Sequence, residues 1–240
     1  MRFQSNEKLI RRRAKIGQYA SLIGLGVLLA GMVLSFQARP NNPNSSRWIA
    51  ISFLALAVGF IAANIGTYNL RRFGRSPRPD QAVAATLKGF DDRYRFYSWL
   101  LPANYVLLGP PGLFVFLARD QDGLIRCDGG RWRQPFSLGR LLTLFAQEGV
   151  GNPSKELREE IERLRGFIAA NLPEAADVPI HGSVVFFNPK VRLELNNPDV
   201  PVLTTKQVKG FIRSRAKEQR LSAEQLRQLE QLFESAIEAK

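Results

Sequence analysis

Two stretches of the chain run for about 20 residues without a charge, GQYASLIGLGVLLAGMVLSF at 17–36 and WIAISFLALAVGFIAANIGTY at 48–68. At 1.5 Å per helical residue each matches a hydrocarbon layer of roughly 30 Å. A helix buried in a water-soluble core seldom continues that long without one charge on a solvated side. The first run is also longer than the apolar part of a secretory leader, no small-x-small cleavage pattern follows it before Gln37, and a second run comes after it. The pattern predicts a two-helix transmembrane hairpin.

Downstream the period changes. Pro79 to Phe90 has Val83 and Leu87 at helical spacing and predicts a short helix. Arg95 to Leu101, Tyr105 to Leu108, Leu113 to Arg119 and Leu124 to Cys127 are short aromatic and branched runs between turn signals, a strand meander. Phe136 to Gln147 reads as a further helix. Asn152-Pro153 opens another, with Leu157, Ile161, Leu164 and Ile168 along one stripe and Glu156, Glu159 and Glu160 near its positive end. Ser183 to Phe187 predicts a buried strand, Arg192 to Leu195 and Val200 to Leu203 two more, and Thr205 opens a helix through Val208, Phe211 and Ile212. Ser222 and Gln225 form a capping box for a last helix carrying Leu226, Leu229, Phe233 and Ile237.

Charge divides the same way. The chain has 34 Lys or Arg against 21 Asp or Glu, a formal +13, and residues 1–70 hold eight of the bases with a single acid, Glu7, so that segment supplies +7. Arg2, Lys8, Arg11, Arg12, Arg13 and Lys15 precede the first run, Arg71, Arg72, Arg75 and Arg78 follow the second, and the connecting loop has only Arg39 and Arg47. The positive-inside bias then places both termini and the downstream domain in the cytoplasm, in an inner or plasma membrane, with a short external turn broken by Pro40 and Pro43. Arg71, Arg72, Arg75 and Arg78 read as a flank for anionic lipid headgroups. Within the second run Ala55, Gly59 and Ala63, with Ser52 and Gly66 beside them, offer a small-residue face for the first helix or for a second copy of the chain, and Asn64 predicts an interhelical hydrogen bond.

The expected organisation is therefore a basic segment and hairpin at 1–70, a basic linker at 71–78, a mixed α/β domain at 79–213, and a C-terminal amphipathic helix at 214–240. Few groups carry chemistry. His181 is the only histidine and Cys127 the only cysteine, which excludes a histidine cluster, an intrachain disulfide and a thiolate metal site. The Gly109 to Gly112 corner lacks the spacing of a phosphate loop. Asp120 and Asp122 precede Gly123 as turn residues do, and an EF-hand reading of the pair fails at its twelfth position, Arg131.

The order helix, three strands, helix, strand is that of restriction-endonuclease-like domains. The stretch Asn104 to Gly123, then Trp132, then Asn152-Pro153 opening a helix, then Val184-Val185-Phe186, resembles the nuclease-related domain (NERD) family over Pro79 to Arg213. That resemblance implies a PD-(D/E)XK nuclease frame with an Asp opening the second strand and a Glu-x-Lys closing the third. The matching positions here are Asn104, Leu117 and Arg119, with Asp80 loosely matching an acid of the opening helix. Asn104 offers a neutral carbonyl, Leu117 no ligand, and Arg119 a cation that does not deprotonate near neutral pH, so the magnesium the family uses loses its anionic oxygens. Two function classes follow. One is a membrane-anchored module without catalysis or cofactor, which binds or scaffolds and touches phosphate, including that of nucleic acid, through Arg119, Arg126, Arg131 and Arg133. The other is an active magnesium-dependent nuclease with a migrated carboxylate set, Asp80, Asp120 and Asp122.

Overall fold

The computed structural model describes residues 1–38, 43–135, 149–218 and 220–239. The expected helix at Phe136 to Gln147, and Pro40 of the loop between the apolar runs, lie outside the described residues. The chain forms two units, Glu7–Arg78 and a second made of Met1–Asn6 with Pro79–Lys240.

In the first unit, α1 (Glu7–Ser35) and α2 (Ser45–Asn69) contain the two apolar runs, and a π-helical turn, Leu70–Gly74, follows. Both helices are long and apolar enough to cross a membrane. They pack through small residues: Gly17, Gly24 and Gly31 are buried on α1, and Ser52, Gly59 and Gly66 on α2. Each set recurs every seven residues, the period that keeps one seam facing its partner over several turns. The approach is close enough to need glycine. A Cβ on Gly24 would lie 2.6 Å from the backbone nitrogen of Ala63, and one on Gly31 would lie 3.0 Å from the Cβ of Ala55. The small-residue face of α2 thus meets a matching one on α1, which the sequence shows as Gly-x6-Gly-x6-Gly. Asn64 departs from expectation: its amide donates to the Phe60 carbonyl in its own helix, at 2.8 Å. The hydrogen-bonding needs of an exposed amide are met locally, so it does not hold the helices together.

The second unit is a mixed α/β domain. Its main sheet has the strand order β1 (Arg2–Ser5), β2 (Arg95–Ser98), β3 (Tyr105–Gly109), β4 (Gly112–Arg119), β7 (Ile180–Phe186) and β9 (Val202–Thr204). β2, β3 and β4 are antiparallel neighbours, whereas β1 on β2, β7 on β4 and β9 on β7 are parallel. A smaller sheet, β6 (Arg131–Arg133), β5 (Gly123–Asp128) and β8 (Val191–Asn196), follows the end of β4.

Side chains alternate across the main sheet and build two cores. One face carries Val106, Leu108, Val115, Leu117, Val184 and Phe186 under α4 (Pro153–Asn171) and α6 (Ala223–Glu238). The other carries Phe96, Leu107, Phe114, Phe116 and Val185 under α3 (Pro79–Thr86) and α5 (Val208–Glu218). Gly182 lets α4 settle onto β7, since a Cβ there would come within 3.1 Å of Leu157.

Two expected boundaries are corrected. Met1–Asn6 does not belong with the hairpin: Arg2–Ser5 pairs in register with Arg95–Ser98, and the Met1 ammonium donates to the Phe90 carbonyl at 3.0 Å and to Asp92 at 2.9 Å. Residues 214–240 are not an appendage to a domain ending at 213, because position 213 falls inside α5. Leu229 and Phe233 of α6 are fully buried, with Phe233 edge-on to Tyr97 at 5.4 Å. Arg95 of β2 also pairs with Glu230, at 2.8 Å, and with Glu234. An amphipathic helix facing an open sheet surface in water buries its apolar stripe there.

Candidate functional site

The β3–β4 hairpin brings together the three positions singled out by sequence. Val106 stands opposite Val115, and continuing that antiparallel register by two residues sets Asn104 opposite Leu117. Leu117 and Arg119 point to the same face as Val115, the face covered by α4. The lead-in to β3 is held by Trp99, which adopts φ 59° and donates its N–H to the Asn104 carbonyl at 2.9 Å. Trp99 in that region ends β2 at Ser98, short of the expected Leu101.

The side chains around these positions come from α4. Asn152 caps the helix, its Oδ1 accepting from the Lys155 amide at 3.0 Å, and Pro153 fills the first helical position. From that fixed start, residues 156 and 160 face the hairpin. Glu160, only 4% exposed, accepts the Asn104 backbone N–H at 3.1 Å and also the Asn104 side-chain amide. Arg163 lies 3.9 Å from the same carboxylate and donates to the Pro102 carbonyl at 3.3 Å. Arg119, 8% exposed, pairs with Glu156 at 2.5 Å. Leu117 sits in the apolar core, 6% exposed. The anionic oxygens near this end of the hairpin are already committed to an amide and a guanidinium, and the strand positions themselves supply none. For a hard divalent cation this end of the hairpin offers the neutral Asn104 carbonyl and two carboxylates that already hold protein partners, a poor donor set.

The remaining candidates separate. Asp80 is fully buried on α3, which covers the opposite face of the sheet. Asp120 and Asp122 are half-buried in the β4–β5 turn, where the Asp120 carbonyl accepts from Asn188 and the Asp122 carbonyl from Gln134, each at 2.9 Å. Among the described residues no three His, Cys, Asp or Glu side chains form a group suited to a metal ion. Of the phosphate candidates, Arg119 is buried in its ion pair, and Arg126 pairs with Glu194 at 2.5 Å. Arg131 and Arg133 are exposed on β6. Of the expected lipid flank, Arg71 is buried, Arg72 lies 4.5 Å over the Tyr68 ring, Arg78 approaches Glu7 at 3.4 Å, and Arg75 is exposed. His181 is half-buried 5.1 Å from the Phe114 ring. Cys127 is buried, and burial raises its thiol pKa, so it is a poor nucleophile.

A polar chain beside the hairpin escaped the sequence reading. The Trp132 indole donates to the Ser154 hydroxyl at 2.8 Å, Ser154 donates to Asp199 at 2.6 Å, and Arg158 holds the other Asp199 oxygen at 2.7 Å. It ties the small sheet to the start of α4 and fixes the helix that presents Glu156 and Glu160. The signal for Glu160 was present in the sequence: it lies three residues after Leu157, inside the apolar stripe, where a carboxylate requires a buried partner. Comparison with family models, with curated proteins and with solved structures finds no match to this chain.

Proposed function

We propose that this chain is a membrane-anchored protein of nuclease-related frame, in which the end of the hairpin that would hold a metal has become a structural joint, and which acts as a cytoplasmic binding or scaffolding module. The observation that carries this reading is the closure of Asn104 by Glu160 and of Arg119 by Glu156. The series α3, β2, β3, β4, α4, β7 supports the restriction-endonuclease-like frame, as does the convergence of positions 104, 117 and 119 on one face. The anchoring reading is supported by the outward side chains of the hairpin, such as Leu22, Phe53 and Leu54, each two-thirds exposed. The membership of Ser5 and Pro79, which flank the hairpin, in one folded unit supports a topology in which the two helices return the chain to the side from which it left.

The test of catalysis uses the full chain in lipid nanodiscs, because a fragment beginning at 71 or 79 lacks β1. No cleavage of plasmid DNA or RNA is expected as magnesium or manganese is titrated. Cleavage abolished both by chelator and by Asp120→Ala would overturn the proposal in favour of an enzyme using Asp80, Asp120 and Asp122. For topology, a reporter active only outside the membrane should stay silent when fused after residue 240 and give signal when inserted between residues 41 and 46.

A further inference from the structure

Helix α5 carries a row of cations. Lys209, Arg213 and Lys217 recur at i, i+4 and i+8, a line of about 12 Å along one helix face. Lys206 precedes the row and Arg220 follows it. Lys206, Arg213, Lys217 and Arg220 are exposed and Lys209 is half-exposed. The Lys209 ammonium comes within 3.9 Å of where a Cβ on Gly89 would stand, which sets it beside exposed Lys88. None of these six cations makes an ion pair among the described residues. Among the described residues, the two acids that follow Lys88 in the chain are engaged elsewhere, Asp91 with Arg93 at 2.5 Å and Asp92 with the Met1 ammonium at 2.9 Å.

The shape of the row selects its ligand. Val208 and Ile212 are fully buried and Phe211 stands edge-on to Phe114 at 6.0 Å, so α5 lies flat on the sheet. A helix docked along its length does not enter a duplex groove to read bases. The one aromatic ring on this helix, Phe211, is half-buried with the Arg215 guanidinium 5.6 Å from its centre, so the row has no open platform on which the bases of a single strand stack. What remains is a flat line of ammonium and guanidinium groups, complementary to a plane of negative headgroups.

We propose that the α5 face, with Lys88, Lys206, Lys209, Arg213, Lys217 and Arg220, binds the anionic lipid headgroups of the leaflet next to which the hairpin holds the domain. This rests on the reading of the hairpin as a lipid-embedded anchor. The anchor joins the domain directly, through the peptide bonds Asn6–Glu7 and Arg78–Pro79, so even weak headgroup contacts act at high effective concentration.

The test reconstitutes the full chain into nanodiscs of pure phosphatidylcholine or of phosphatidylcholine with phosphatidylserine. Acylation of Lys206, Lys209 and Lys217 is then followed by mass spectrometry, with Lys155 on α4 as the exposed reference. Protection of the three lysines is expected only in the phosphatidylserine discs, and high salt should relieve it. Replacing Lys88, Arg213 and Arg220 by Gln should weaken it by about fivefold per charge. Equal reactivity in the two discs overturns the proposal, and so does protection by RNA or duplex DNA in phosphatidylcholine discs, which would make the row a nucleic-acid surface. Failure of the anchor is seen separately, as release of the protein by alkaline carbonate. The released chain should then still float with phosphatidylserine vesicles, and a chain that does not float refutes the headgroup site.

Discussion

The hairpin and the sheet domain distribute residue sizes in opposite ways. Inside the hairpin are Gly17, Gly24, Gly31, Ser52, Gly59 and Gly66, while Leu22 and Phe53 stand outside, 67% and 68% exposed. Inside the domain are Phe96, Phe114, Phe116, Phe186 and Phe233, while charged residues cover the surface. In water, removal of apolar area drives association, and large side chains contribute most. Between helices in lipid that drive disappears, and close backbone approach through small residues takes its place. The hairpin thus hides small residues, the pattern helices in lipid use, and the domain hides large apolar ones, the pattern of a core in water.

The largest expected break in that comparison is in the domain. Phe233→Ala should cost about 3–5 kcal/mol, because it empties a fully buried site against Tyr97 and Phe167. Chemical denaturation of the full chain in detergent would measure it. A loss below about 1 kcal/mol would mean that α6 is an appended helix and not part of the core.

Next comes the joint at the hairpin. Glu160→Ala strands the Asn104 backbone N–H and side-chain amide in a buried setting and should cost about 2–3 kcal/mol. Adding Asn104→Leu should restore part of that loss, since one of the stranded groups is then gone. A double-mutant cycle with no coupling would break the pairing on which the proposal of a structural joint rests.

How far these features were legible depends on how local their causes are. The apolar runs, the Asn152 and Ser222 caps and the α4 stripe are set by neighbours within a few residues, and the structure has them where the pattern indicates. β1 is different. Its four residues, Arg-Phe-Gln-Ser, have no buried alternation of their own, and their partner Arg95–Ser98 is more than ninety residues away. Only the assembled sheet edge makes them a strand, so the positive charge of the segment dominated its reading. The parallel pairing of β4 with β7 and of β5 with β8 is likewise a product of crossovers that no short pattern encodes. Positions 104, 117 and 119 were singled out by a resemblance alone, and their partners on α4 required the helix to be docked.

A smaller effect sharpens the comparison from the hairpin side. Gly24→Ala places a methyl group 2.6 Å from the Ala63 backbone and should force the helices apart, lowering the thermal midpoint in detergent. Gly26→Ala meets nothing within 4 Å and should be neutral or stabilising by up to about 1 kcal/mol through helix propensity. Equal responses at the two sites would remove the close seam.

The smallest expected effect concerns the boundary between the two regions, the seating of Met1 in the domain. The Asp92 carboxyl is held below its ordinary range, first by its hydrogen bond to the Met1 ammonium and then by the charge of that group. A carboxyl with a depressed folded pKa favours the seated state at pH above its unfolded value of 3.8, and the contribution fades as pH falls through the folded value. Asp92 is 88% exposed, so screening keeps the effect local. A carbon-13 titration of the Asp92 carboxyl should have its midpoint below 3.8, and Asp92→Asn should speed exchange of the Arg2 amide, which donates to the Tyr94 carbonyl at 3.0 Å. The variant's Arg2 exchange should no longer depend on protonation of residue 92 across that acid window. An unshifted Asp92 midpoint, with Arg2 exchanging at the rate of a free chain, would detach β1 from the sheet and return the first six residues to the basic flank of the hairpin.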